Sequence, residues 1–354
     1  MKSELSNIIL KWYDKHHRIL PWRAPMGILP KPYHVWLSEI MLQQTTVHIV
    51  KPYFNNFIQR WPTIIDLSKA HLDEILYSWQ GLGYYARARN LYKCAQIIVL
   101  QHNGYFPETE EQLLKLPGIG PYTAYAIAAI AFNRHTSPVD SNITRIITRI
   151  FALEKPVSKI LNEIQDKAHT LTPKIRSGDY AQALMDIGST ICIPKKPRCN
   201  ICPCINYCEA YKLEITDHLP KKNKKVIKPT RVGYAFWLRR TDNQHILIRR
   251  RKEKGLLGGL YEIPTSTWKN IKEPNIEMLN EAPIKVKWKK IDGIISHQFT
   301  HFKLNLTLVT ATISKKEILL IDQNSVWTNI NNLSDFALST LMKKVIGYSI
   351  TNKQ

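Results

Sequence analysis

Five of the six cysteines, Cys192, Cys199, Cys202, Cys204 and Cys208, fall within seventeen residues. Such a cluster in a chain without a secretory signal predicts metal binding before disulfides. The run Cys192-x6-Cys199-x2-Cys202-x5-Cys208 offers four thiolates on one short loop. Only Cys199 and Cys202 form the CxxC knuckle that zinc sites usually repeat, so the spacing favours an iron–sulfur cluster over zinc by a modest margin. Cys204 leaves the third ligand open, at 202 or 204. Cys94, on an apolar helical stretch, reads as a small buried hydrophobe.

Two carboxylates carry a different chemistry. Glu39 is the one acid between Asp14 and Asp66, set in Trp36-Leu37-Ser38-Glu39-Ile40-Met41-Leu42. Apolar neighbours desolvate a carboxylate and make it hold its proton, although most lone acids on helices are simply solvated. Asp140 stands in Ser137-Pro138-Val139-Asp140-Ser141-Asn142, before a helix with Ile143, Ile146, Ile147 and Ile150. That is a helix-cap position, and capping favours the ionised form. One neutral and one charged acid is the pairing that cleaves a glycosidic bond. Leu116-Pro117-Gly118-Ile119-Gly120 adds a tight turn between helices, with glycines expected to take positive φ and free amides that suit a phosphate.

These residues need elements to hold them. Residues 1–212 read as helical. Leu5, Ile8, Ile9, Trp12 and Tyr13 share a helical face with Ser3 as cap, Thr109 and Gln112 form a capping box, and Pro121 opens a helix rich in small residues. Residues 213–230 read as a linker, with Lys221, Lys222, Lys224, Lys225 and Lys228 and no acid from 218 onward. Residues 231–354 change period. Gly233–Leu238, His245–Ile248 and the alternation Phe302, Leu304, Leu306, Leu308 predict strands, and Ser334–Ile346 a last helix. The second domain is therefore α+β.

The 354 residues carry a net charge of +22 and are 44% apolar, which excludes a disordered chain and points to a polyanionic partner. The net is +8 over residues 1–210 and +14 over 211–354. No signal peptide or membrane-length apolar run is visible, so the chain reads as soluble and cytoplasmic.

These segments together resemble the MutY-type adenine DNA glycosylases of the helix–hairpin–helix superfamily. The resemblance rests on Leu20-Pro21-Trp22-Arg23, VWLSEIMLQQT (35–45), GLGYYARARNL (81–91), LPGIGPYTA (116–124), VDSNITRI (139–146), the four-cysteine loop and GGLYEIP (258–264). It spans nearly the whole chain. It implies a multidomain protein: an all-α helix–hairpin–helix glycosylase domain with a [4Fe–4S] loop, and a C-terminal α+β Nudix-like domain that reads 8-oxoguanine. The implied partner is duplex DNA holding adenine opposite 8-oxoguanine, bound by a monomer at the nucleoid.

By that resemblance Glu39 is the general acid on the flipped adenine, and Asp140 stabilises the sugar cation. Asn142 holds Asp140, and Tyr122 lies beside the sugar. Trp22, Arg23 and Leu42 serve the adenine side. Gln44 and Tyr84 wedge the stack, with Thr45 and Leu82 near the lesion and Gly118 and Gly120 on phosphate. Phe299, Thr300 and His301 match a Phe-Ser-His lesion loop, with Thr in place of Ser. The cluster ligands are Cys192, Cys199, Cys202 and Cys208, with Cys204 spare. The bifunctional endonuclease III type shares most of this set, but carries a Schiff-base lysine where this chain has Tyr122. The acidic Nudix signature is missing after Pro264. The segment from Ala24 to Pro32 is longer than in the family.

Read without the resemblance, Gln43–Thr46 is either a polar helix end that reads bases or a plain surface turn. Tyr84 and Tyr85 beside Arg87 and Arg89 suit base stacking and phosphate contact, or ordinary packing. A DNA-binding redox sensor and an RNA-binding accessory protein are the non-enzymatic alternatives that the charge admits.

Overall fold

The structure is a computed structural model. It describes residues 2–221, 227–241, 244–314 and 324–352. Lys222, Lys224 and Lys225 of the linker lie outside the described residues. The chain divides into two compact units, one of residues 1–70 and 90–225 and one of 71–89 and 226–354.

The first unit is helical. Its elements are α1 (Lys2–His16), α2 (Pro32–Leu42), α3 (Val47–Arg60), α4 (Ile64–Lys69), most of α6 (Ala86–His102), α7 (Glu110–Leu113), α8 (Pro121–Phe132), α9 (Ser141–Ile150), α10 (Leu161–Leu171), α11 (Ser177–Thr190) and α12 (Glu209–Lys212). The apolar face of α9, Ile143, Ile146, Ile147 and Ile150, is buried against Leu5, Ile9 and Tyr13 of α1 and Tyr180, Leu184 and Ile187 of α11. Burial of such a stripe is what holds a ten-residue helix that would be marginal alone. Close approach around α11 depends on two glycines. A Cβ on Gly178 would stand 2.5 Å from the Ala129 carbonyl oxygen of α8, and one on Gly188 2.5 Å from the Asn142 Cβ of α9. Small residues thus draw the N-terminal ends of α8 and α9 toward one helix.

Several local expectations are corrected. Ser3 lies inside α1, not at its cap. Thr109 accepts from the Gln112 N–H, but the Gln112 side chain meets the Thr109 hydroxyl, leaving the box half made. Gly118 has φ +79°, with Asn90 packed where its Cβ would be. Gly120 has φ −92° and caps α8 in extended backbone, so only the first glycine needs its conformational freedom.

The second unit holds α5 (Leu72–Ser78), α13 (Thr340–Thr351) and a mixed sheet of β1 (Thr230–Arg240), β2 (His245–Arg250), β3 (Tyr261–Glu262), β4 (Lys289–Lys290), β5 (Ile295–Gln298), β6 (Lys303–Ile313) and β7 (Ser325–Asn329). The order is β3-β2-β1-β6-β4, with β5 on β6 and β7 on β2. β1 and β6 run parallel from Thr230↔Lys303 to Arg240↔Ile313, and the strands expected at 233–238, 245–248 and 302–308 fall on β1, β2 and β6. The final helix starts later than expected. Ser339 caps it through the Met342 N–H, and residues 330–335 form a 3-10 turn instead. Among the described residues no helix is long and apolar enough to cross a membrane.

Candidate functional site

In the helical unit, α2, α8 and α9 bring their chemistry together. Glu39 is on the buried face of α2 and is 6% exposed. The Gln43 amide donates to Thr123 Oγ1 at 3.1 Å, tying the end of α2 to the start of α8. Tyr122, one residue earlier on α8, hydrogen-bonds the Glu39 carboxylate. Burial pushes the Glu39 pKa up to about 7, the Tyr122 bond works against that rise, and the Asp140 charge adds to it. Glu39 and Asp140, a hundred residues apart in sequence, therefore feel one another's charge.

Asp140 is the cap of α9, as its position predicts. Its Oδ1 accepts from the Ile143 N–H at 2.7 Å and its Oδ2 from Asn142 Nδ2 at 2.8 Å. The expectation that capping sets its charge needs correction. Burial is the larger influence and raises its pKa despite the two hydrogen bonds. Its charge nevertheless contributes to holding the proton on Glu39. Arg145 fixes the partner: its Nη2 donates to Asn142 Oδ1 at 2.8 Å and to the Gly188 carbonyl, and its Nε to the Cys192 carbonyl at 2.5 Å.

A cavity opens on Glu39 and is lined by Trp22, Arg23 and Leu42, as expected, together with Val47, Gln182 and Met185. Trp22 is 7% exposed and meets Phe54 edge-on at 5.3 Å. Arg23 is held by both oxygens of Asp186, at 2.7 and 2.8 Å, and Arg18 reaches the same carboxylate at 2.5 Å. Asp186 is wholly buried. Burial works to raise its pKa, but the hydrogen bonds and charges of Arg23 and Arg18 overcome it and hold it below the usual range. Sequence reading missed Asp186 and Gln182. A buried acid on the α11 face turned toward α1 and α8 was the available signal.

Gln44 follows α2 exposed, with φ +58°, a left-handed backbone that costs a side-chain-bearing residue about 1 kcal/mol. Thr45 beside it is half-buried. Residues 43–46 are thus a strained turn rather than a helix end.

The expected lesion residues lie in the second unit. Leu82 is buried, and Tyr84 is 46% exposed with φ +48°. The Tyr84 hydroxyl and Thr300 Oγ1 are 2.6 Å apart. Arg87 caps this turn by donating to the carbonyls of Leu82 at 3.0 Å and Gly83 at 3.2 Å, its guanidinium over Trp79. Phe299 is half-buried and stacks on Trp268 at 5.8 Å, whereas Thr300 and His301 are exposed. The loop thus anchors one aromatic and presents two polar tips.

Cys192, Cys199, Cys202 and Cys208 line one cavity beside Arg149. All six cysteines are free thiols. Among the described residues no three His, Cys, Asp or Glu side chains converge on a point for a single ion. Arg149 is 2% exposed and donates to Cys192 Sγ at 3.2 Å and to the Ile193 carbonyl at 2.9 Å. A donor set of four thiols around a cavity, with a buried guanidinium against them, fits a polynuclear anionic cluster. Cys204 is outside that lining, buried at 3% exposure. Cys94 is wholly buried on α6, as expected.

Residues 37–169 match a superfamily of base excision DNA repair proteins, and residues 234–348 match the NUDIX domain. The chain is 36% identical over 342 residues to an adenine DNA glycosylase of Buchnera aphidicola subsp. Baizongia pistaciae, covering 96% of this chain and 94% of the relative. It is 31% identical to the adenine DNA glycosylase of Homo sapiens, covering 95% of this chain and 72% of the relative. Among solved structures, a thermostable thymine-DNA glycosylase aligns with a TM-score of 0.53 at 28% identity, over 60% of this chain and 97% of that one. An endonuclease III trapped on DNA aligns at 0.50 with 21% identity over 60% and 96%, a likeness of fold.

Proposed function

Because the chain belongs to the adenine DNA glycosylases of base excision repair, we propose that its substrate is duplex DNA with adenine opposite 8-oxoguanine. The observation that carries the chemistry is the meeting of Glu39, Tyr122 and Asp140, with Glu39 poised near neutrality. A stacked base cannot reach this cavity, so the adenine is flipped out of the duplex. The Glu39 carboxyl then gives its proton to N7. The C1′–N9 bond breaks with its electron pair leaving on the base, which departs neutral. The sugar becomes oxocarbenium-like and is stabilised by the Asp140 carboxylate, which Asn142 and the Ile143 N–H hold in place. Water adds to C1′, and its proton passes to the Glu39 carboxylate. Tyr122 orients Glu39.

Recognition of 8-oxoguanine is assigned to Thr300, His301 and Tyr84, supported by the short Tyr84–Thr300 contact. Gln44 and Thr45 act at the stack, Leu82 supports the turn, and Gly118 and Gly120 present backbone to phosphate. Cys192, Cys199, Cys202 and Cys208 would hold a [4Fe–4S] cluster. When bound, that group supplies a covalent staple across the loop and a charge for Arg149 to balance. The boundaries 1–212, 213–230 and 231–354 remain our assignment of domains, with the chain acting as a monomer.

The test is single-turnover incubation with a duplex holding adenine opposite 8-oxoguanine, followed by alkali. Alkali-labile sites at the adenine, with little strand cleavage before alkali, are expected. Efficient borohydride trapping of a covalent DNA adduct would contradict the monofunctional reading, since Tyr122 supplies no amine.

A further inference from the structure

The loop with the four cavity-lining thiols holds a fifth, Cys204, with a different setting. It packs in the core beside Tyr180, Leu184 and Ile187 of α11, and Cys192 and Cys202 lie against that core. It also caps the 3-10 turn Ile205–Tyr207, with its carbonyl accepting from the Tyr207 N–H at 3.0 Å. From this fixed position its thiol and its backbone N–H both donate to the sulfur of Cys202. Hydrogen bonds to ligand sulfurs withdraw electron density and are among the levers that set cluster potentials.

We propose that Cys204 is a positioning residue for an iron–sulfur cluster, its buried thiol donating an S–H···S hydrogen bond to the Cys202 ligand sulfur and thereby favouring the reduced state. This rests on the cluster reading of Cys192, Cys199, Cys202 and Cys208. It gives Cys204 a role beyond that of a small hydrophobe filling space.

The test uses the full-length protein as purified, with iron, sulfide, visible absorbance and midpoint potential as readouts. Cys204→Ala should keep wild-type iron, sulfide and absorbance but take a more negative potential. Cys204→Ser, which restores a donor, should move it back toward wild type. An iron-loaded Cys204→Ala with unchanged potential overturns the inference and leaves the cluster reading intact. Loss of iron in Cys204→Ala with retention in Cys202→Ser makes Cys204 the ligand and also overturns it. A colourless, iron-free wild type overturns the cluster reading itself. Should the alanine variant fail to fold, wild type carries a second readout. With four thiols ligated, only Cys94 and Cys204 contribute to the infrared S–H region, and Cys94→Ala isolates the latter. A band lowered by hydrogen bonding is expected, and one at the free-thiol frequency refutes the bond.

Discussion

Two regions of the same pocket wall bury a carboxylate and treat it oppositely. On α2, Glu39 is 6% exposed, its hydrogen-bond partner is the neutral Tyr122, and its pKa is pushed up to about 7. On α11, Asp186 is wholly buried but gripped by Arg23 and Arg18, and it stays ionised below the usual range. Burial alone does not set the charge of an acid. What decides is whether cations with matched geometry offset the lost hydration. The clamped acid builds the pocket, and the acid without a direct cation partner holds a proton to donate.

The largest effect that could break this contrast is on rate. Glu39→Gln should lower single-turnover excision by about a hundred- to ten-thousand-fold while leaving duplex affinity near wild type. Undiminished excision would remove Glu39 from the chemistry. Next comes the clamp. Asp186→Asn leaves two arginines short of their buried partner and should cost about 3–5 kcal/mol in denaturant unfolding. A variant as stable as wild type would show that the clamp is not needed for folding.

The pH dependence sharpens the contrast further. The folded pKa of Glu39, about 7, exceeds its ordinary 4.5. The folded state therefore binds the extra proton between those values, and stability from this group is lost as pH rises across that window. At higher pH Glu39→Gln should be more stable than wild type by up to about 3 kcal/mol, read from unfolding at pH 8. Excision should fall as pH rises through about 7. Asp186 has the opposite sign, its contribution being present above 3.8 and lost as pH falls through its lowered folded value. The smallest effect is expected from Tyr122→Phe. Its bond lowers the Glu39 pKa, so its loss, about 1 kcal/mol, should move the alkaline limb of the pH–rate profile upward by less than one unit.

Local signals were legible wherever one residue and its near neighbours sufficed. Asp140 caps α9 because a short acid before an amphipathic run has the Ile143 amide within reach. Strand alternation at 302–308 showed in the sequence because the pleat has period two. The start of the last helix was misjudged at Ser334, because two serines five residues apart compete as caps and only packing selects Ser339.

The sequence by itself determined which side chains could do chemistry: one acid among apolar residues, one capping acid, four thiols at fixed spacing and a basic chain that seeks DNA. Tertiary structure alone decided which of them meet and in what charge state. Asp140 and Tyr122 reach Glu39 because Gly178 and Gly188 let α8 and α9 close on α11. Asp186 is ionised because Arg18 and Arg23 converge on it from 163 or more residues away. Proton affinity depends on desolvation and on charges a few ångströms off. Those distances exist only once the helices are packed.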